Sequence, residues 1–474
     1  MIMRWWGEAG KRWIIQAVGG PARFRVIAVL ACVLALDSAD KGTVGAAGPE
    51  LKRSLHLSNT ELGSLTAVSS AMGGLASIPV GMLTDRVRRT GLLAASIAVW
   101  SVATVAGGFA GSYTSLLPAR LVLGAATATA GPTLASLIGD YFPSAERARI
   151  YGFILSGELL GAGVGLLAGG NIARLLTWRS AFWLLGLLGV ALIVVIRREL
   201  PEPARGGHRR LSSGVREGEA GDARPPDPAR SALRDRQVAP EPTRVLRRDP
   251  ARMSIWEVTR YILAIPTNVV LIVASAMGYF FYAGLRTFSV VFVERQYHLA
   301  QGTLSGLVVI VGAGALAGTL AGGRIADRLI RRGHLDARLT VPALAFLISA
   351  GLFVPALLTT SVAIALPLFL LAAAALAASN PPVDAARLDV VPFRLWGRAE
   401  SVRTVLRMAA ESVAPVTFGF LADLLSAGRA FSATGLRSAF LITLVPLVAS
   451  AGILLLGRRT YPHDVATAQA SDER

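Results

Sequence analysis

HLSNTELGSL at His56–Leu65 is echoed by HLAQGTLSGL at His298–Leu307, and the same interval lays GMLTDRVRRTG, from Gly81, onto GRIADRLIRRG, from Gly323. Two distant matches in one ungapped register mark an internal duplication. Each pair of matches brackets a long apolar run, so the duplicated unit is built from apolar helices.

Working outward, the same texture covers almost the whole chain. Of 474 residues, 53% are hydrophobic and only 16% charged, and the mean hydropathy of +0.54 is far above that of a soluble domain. Apolar stretches of about 20 residues, enough to cross roughly 30 Å of hydrocarbon as a helix, recur between short turns rich in Gly, Pro and Arg. The reading is an all-α membrane protein with twelve spans: 24–47, 58–82, 91–110, 114–140, 148–171 and 179–197, then 266–292, 301–326, 338–358, 361–383, 399–424 and 435–457. The two sets of six are expected to form bundles related by an axis normal to the membrane, the parallel form of transporter repeats.

Five segments follow. Residues 1–23 form an N-terminal tail in which Trp5, Trp6 and Trp13 stand among cations as an interfacial anchor. Residues 24–199 are the first bundle, 263–458 the second, and 459–474 a C-terminal tail. Between the bundles, 200–262 begins with a stretch of mixed charge, Pro and Gly that holds almost no large apolar residues, and so is expected to be disordered. It ends in a short interfacial helix opened by Ser254 and Glu257 at capping-box spacing. Arginines crowd the loops after spans two, four, six and eight, while Gly111–Tyr113 and Thr359–Ser361 carry little charge. By the positive-inside rule, both termini and the linker are expected in the cytoplasm, with the protein in the plasma membrane.

The net charge of +18 arises from these loops and the linker rather than from a basic folded surface, which argues against nucleic acid. The single cysteine, Cys32, offers no disulfide framework. The five histidines are scattered without HExxH spacing, and no GxxxxGK[ST] loop occurs. No nucleophile and base pair suggests an intramembrane enzyme.

Gly81-x-Leu83-x-Asp85-Arg86-x-x-Arg89 resembles the loop motif after the second helix of the major facilitator superfamily, and Gly323-x-Ile325-x-Asp327-Arg328-x-x-Arg331 resembles its second copy. Arg88 and Ile330 stand where that family usually has glycine. The resemblance implies a secondary transporter in which these charges act as a latch whose opening lets rigid bundles rock. A role in fixing topology alone is the plainer alternative.

Three further patterns belong to this resemblance. Leu116-x3-Arg120-x3-Gly124 on span four resembles the family's motif around a membrane-embedded arginine, and such an arginine should face a cavity or a carboxylate. Gly152-x8-Gly161-x3-Gly165-Leu166-x2-Gly169-Gly170 on span five is similar to the motif of proton-linked antiporters, with Leu166 in place of its proline. Gly157, Gly161, Gly165 and Gly169 then form a ridge, as do Gly314, Gly318 and Gly322 on span eight; both are expected at the seam between the halves, and plain helix packing is the alternative. Asp37, Asp40 and Lys41 share one face of span one, in a stretch that resembles the Asp-Arg signature of several facilitator families, Spinster-like lipid transporters included.

Glu158, Arg286 and the stripe Arg403, Arg407, Glu411 complete the charges inside spans; the stripe reads either as a self-neutralising ladder or as part of a substrate cavity. Asn380, Pro381 and Pro382 should break span ten, with Asp384 near Arg387.

The resemblance thus implies a monomeric, proton-coupled transporter of a small organic or amphiphilic solute, driven by a proton gradient with no cofactor, with export favoured by the span-five motif. An importer of an organic anion or sugar, a Spinster-like lysolipid transporter and a non-transporting sensor are the alternatives.

Overall fold

The computed structural model describes residues 18–57, 59–205, 211, 238–247, 250, 253–297, 301–425 and 433–473. Among these residues all regular structure is helical. The chain divides into two compact units.

The first unit runs through Arg230 and takes in Phe393–Ser401. Its helices are α1 (Pro21–Ala46), α2 (Gly48–Leu55), α3 (Asn59–Arg86), α4 (Arg89–Gly108), α5 (Tyr113–Thr127), α6 (Ala130–Tyr141), α7 (Arg147–Val164), α8 (Gly170–Leu175) and α9 (Trp178–Glu199), with a π-helical turn at Gly165–Gly169. Local chemistry sets the starts. Gly20 supplies a φ of 125° ahead of Pro21 at the first turn of α1, Ser112 and Ser115 make a reciprocal cap on α5, and Thr177 caps α9. Pro132 lacks the N–H that Ala128 would need, and the span divides into α5 and α6 at that point, a break absent from the sequence reading of 114–140. α1 packs along α7, α3 along α5, and α4 along α9.

The second unit holds Ser231–Pro392 and Val402–Arg474. Its helices are α10 (Ile255–Ala264), α11 (Pro266–Tyr297), α12 (Gln301–Arg331), α13 (Ala337–Leu358), α14 (Val362–Ala378), α15 (Asn380–Val390), α16 (Trp396–Leu424, whose first residues belong to the first unit), α17 (Ala433–Gly457) and α18 (Tyr461–Asp472). The break between α14 and α15 falls at Ser379, ahead of Pro381 and Pro382. α12 packs along α14, α13 against α14 and α17, and α11 along α17.

Counting the broken spans as one each, eleven helical stretches among the described residues are long and apolar enough to cross a membrane. α1 is the twelfth: at 26 residues it is long enough, and Asp37, Asp40 and Lys41 interrupt its apolar run. This is the all-α, six-plus-six architecture of the repeat.

Two tail readings need correction. The linker is not a free coil at its ends, because 201–205 dock on the α3–α4 loop and 238–247 dock on α18 through side chains that the composition argument does not weigh; residues 206–210, 212–237, 248–249 and 251–252 lie outside the described residues. The segment 459–474 is likewise not a simple tail. It forms α18, which buries Tyr461, Asp464 and Val465, with Asp464 accepting from the Thr267 backbone N–H at the start of α11. The anchor residues Trp5, Trp6 and Trp13 lie outside the described residues.

Candidate functional site

The first bundle holds a buried ion pair. Asp40 on α1 accepts two bonds from Arg120 Nη1 on α5, at 3.0 and 3.2 Å, with both side chains 4% exposed. The guanidinium also lies 4.6 Å from the centre of the Phe182 ring on α9, so three helices hold it. Its Nη2 is buried and has no hydrogen-bond partner. A guanidinium is always charged and an unspent N–H₂ group in an apolar interior is costly, so this nitrogen is a ready donor for an incoming acceptor. Asp37, one turn before Asp40, pairs with the exposed Lys41 at 2.7 Å.

A glycine ridge on α7 and the π-helical turn that follows it packs on α1. A Cβ on Gly157, Gly161 or Gly165 would overlap the backbone of Ala31, Ala35 or Ala39, and one on Gly169 would overlap Thr43. Gly314, Gly318 and Gly322 stand in the same way against Leu370, Ala374 and Ala378. Both ridges pack inside their own bundle, α7 and the turn after it on α1 and α12 on α14. The sequence marks which residues allow close approach but not which neighbour takes it up.

In the second unit, the stripe on α16 splits. Arg403 turns to Asp384 at 3.1 Å and to Ser275 Oγ at 3.2 Å, and Asp384 also accepts from Arg387 at 2.7 Å. Arg407 meets Glu411 at 3.5 Å, and its guanidinium lies 4.6 Å from the Tyr279 ring centre. The stripe is thus shared between Asp384 and Glu411. Arg286 and Glu158 are exposed on α11 and α7.

The two loop motifs are tied differently. Asp85 accepts from the Gly397 N–H at 3.1 Å and pairs with Arg398 at 3.2 Å, and Gly81 lies where a side chain would strike Ser401. Arg89 is 1% exposed and bonds Asp140, Ser136 Oγ, Glu202 and the Pro203 carbonyl. Glu202 also accepts from the backbone N–H and hydroxyl of Thr90, each at 2.8 Å, so it caps the start of α4. Arg205 donates to the carbonyls of Thr84 and Val87. Burial would raise the Glu202 carboxyl, but the bonds from Thr90 and Arg89 outweigh it and hold the group below its ordinary value. In the second copy, Asp327 is bound by Arg338 at 2.7 Å, which also reaches Asp389 at 3.2 Å; Tyr461 donates to that same Asp389. Arg86, Arg328 and Arg331 are exposed, and Gly323 is buried.

Sequence reasoning therefore missed Asp140, Glu202, Arg205, Arg338, Asp389 and Arg398. Asp140 and Asp389 were available as carboxylates near the ends of apolar spans, and Arg338 as an arginine at the start of one. Nothing in the linker's composition singled out Glu202.

Residues 30–415 match the Major Facilitator Superfamily model, and the chain belongs to that family. The family's members are transporters, not enzymes, and this chain is a multi-pass membrane protein of that type. It is 28% identical over 155 residues to the Probable L-galactonate transporter of Escherichia coli (strain K12), covering 33% of this chain and 34% of that protein. Against the 4-hydroxybenzoate transporter PcaK of Pseudomonas aeruginosa it is 27% identical over 188 residues, covering 39% of this chain and 41% of the relative. These matches span less than half of either relative's length. The structure of a bacterial homolog to the human lysosomal transporter Spinster, inward-facing and unoccupied, shares the fold at a TM-score of 0.58 and 20% identity, with 94% of this chain and 98% of that one covered.

Proposed function

We propose that this protein is a proton-coupled secondary transporter of small organic anions, working as a monomer in the plasma membrane with its termini in the cytoplasm. The observation that carries the reading is the Asp40–Arg120 pair, buried in an apolar bundle with one guanidinium nitrogen unspent. A substrate carboxylate would take up that nitrogen and compete with Asp40 for the cation. Asp40, freed of its counter-charge in a low-dielectric setting, would then favour a proton. The relatives named for galactonate and 4-hydroxybenzoate support an anionic substrate. No cofactor is needed, since the proton gradient supplies the driving force. The glycines of α7 are accounted for by their packing on α1, so they no longer favour export.

Counterflow and pH-driven uptake in proteoliposomes, with sugar acids and aromatic acids as substrates, test this. Arg120→Gln should reduce both by at least tenfold while the protein stays monodisperse. Asp40→Asn mimics the protonated carboxyl, and should keep counterflow while losing accumulation against a gradient. Full pH-driven accumulation by Asp40→Asn would place the proton site elsewhere, and neutral sugars outcompeting acids would overturn the anion reading.

A further inference from the structure

On the linker side of the second unit, the chain from Pro242 to Arg247 folds against Met253 and Tyr261 to enclose an open cleft of about 540 Å³. Arg244 and Arg247 line it, and among the described residues of its lining none is acidic. Its wall is fixed in place. The Tyr261 hydroxyl donates to the Arg244 carbonyl, and the backbone N–H groups of Glu241 and Leu246 donate to Thr467 and Ser471 of α18. Asp464 draws on the charge of Arg244 from 3.7 Å, while Arg247 is exposed.

The helix that supplies Tyr261 is two-faced. α10 buries Val258 and Ile262 and turns outward Trp256, 81% exposed, together with Arg260 and Leu263, at i, i+4 and i+7. An aromatic, a cation and a leucine on one outward stripe suit the boundary between hydrocarbon and headgroups, where an indole ring is at home and an arginine can reach phosphate. The height is fixed by connectivity: α10 ends at Ala264, and α11, which is long and apolar enough to span a membrane, begins at Pro266. The cleft therefore stands at the level of lipid headgroups.

We infer that this cleft binds the phosphate of an anionic phospholipid at Arg247 and Arg244, with the outward face of α10, Trp256 and Leu263 included, seated in the same headgroup layer. Zwitterionic lipid offers the same phosphate with its charge cancelled, and so competes poorly for the arginines of the cleft, the exposed Arg247 above all. The site is separate from the Asp40–Arg120 pair and does not depend on which solute is carried.

The test uses the full chain in liposomes containing brominated lipids, which quench nearby indoles. The Trp256 signal is isolated as the difference between the wild type and Trp256→Phe. Brominated phosphatidylglycerol should quench it with an apparent affinity about fivefold higher per engaged arginine than brominated phosphatidylcholine. Arg247→Gln should remove most of that preference without changing quenching by phosphatidylcholine, and raised salt should do the same to the wild type, a control that needs no variant. Equal quenching by the two lipids would overturn the site. Displacement by millimolar inorganic phosphate without loss of lipid contact would overturn the lipid and leave a free-phosphate site.

Discussion

The two copies of the charged loop read almost alike in sequence and are wired differently in space. In the first, the motif's own Arg89 leaves the loop and reaches Asp140, while Asp85 turns to Arg398. In the second, the residue in register with Arg89 is Arg331, which is exposed, and Arg338 takes both Asp327 and Asp389. Loop length explains the exchange. α3 ends at Arg86 and α4 begins at Arg89, whereas α12 ends at Arg331, Gly333 adopts a φ of 88°, and α13 begins only at Ala337. Past that longer loop the register slides, and Arg338 stands to Asp389 as Arg89 does to Asp140. A motif in an ungapped repeat thus locates a structural corner, but the residue that fills each role follows the geometry of the helix start.

The comparison is broken most directly at its arginines. Arg338→Ala leaves two buried carboxylates facing each other and should cost about 3–5 kcal/mol, read as a large fall in melting temperature in detergent. Arg331→Ala, on the exposed residue that the register nominates, should stay within about 0.5 kcal/mol. If the two variants melt alike, the assignment of roles is wrong.

The halves differ again in how their helices touch. Where α7 meets α1 through glycines, α11 meets α16 through the fully buried Phe418, which packs on Phe281 and Phe288. Bulk should be excluded from the first contact only at the ridge. Gly161→Leu should lower stability by about 1–3 kcal/mol and impair transport, whereas Gly163→Leu, on the same helix with nothing within 4 Å of its would-be Cβ, should do neither. Matching losses at the two positions would remove the ridge from the account.

The smallest expected effect belongs to the linker clip. Glu202→Gln should cost about 1 kcal/mol near neutral pH, since it weakens charge-assisted bonds to Arg89 and Thr90. Because the folded carboxyl lies below its ordinary value, its contribution is complete above the ordinary carboxylate range and fades as pH falls through that lowered value. Thermal stability of wild type and variant should converge in acid; a gap that widens there would contradict the clip.

Most of the fold was legible in the sequence because membrane spans need long apolar runs and the repeat fixes their order. The break at Ser379 was legible too, since two prolines announce it, whereas the one before Pro132 falls inside a run that reads as continuous over 114–140. The charged residues inside spans were found by type, whereas their partners were not: Asp40 shares a helix face with Lys41 yet binds Arg120. Such choices depend on which helices adjoin, which a single sequence does not encode locally. Glu202 was lost for a related reason, as a segment poor in apolar residues can still be held by a few charge-assisted bonds.

The α7 ridge has a mechanical side as well. Gly157, Gly161, Gly165 and Gly169 meet Ala31, Ala35, Ala39 and Thr43, four residues to the step on both helices, like the teeth of two racks. With a rise of about 1.5 Å per residue, a slip to the next tooth is a jump of roughly 6 Å, and smaller slips force backbone against backbone. α1 and α7 are therefore geared to travel as one rod, and any displacement of Asp40 must carry the whole pair.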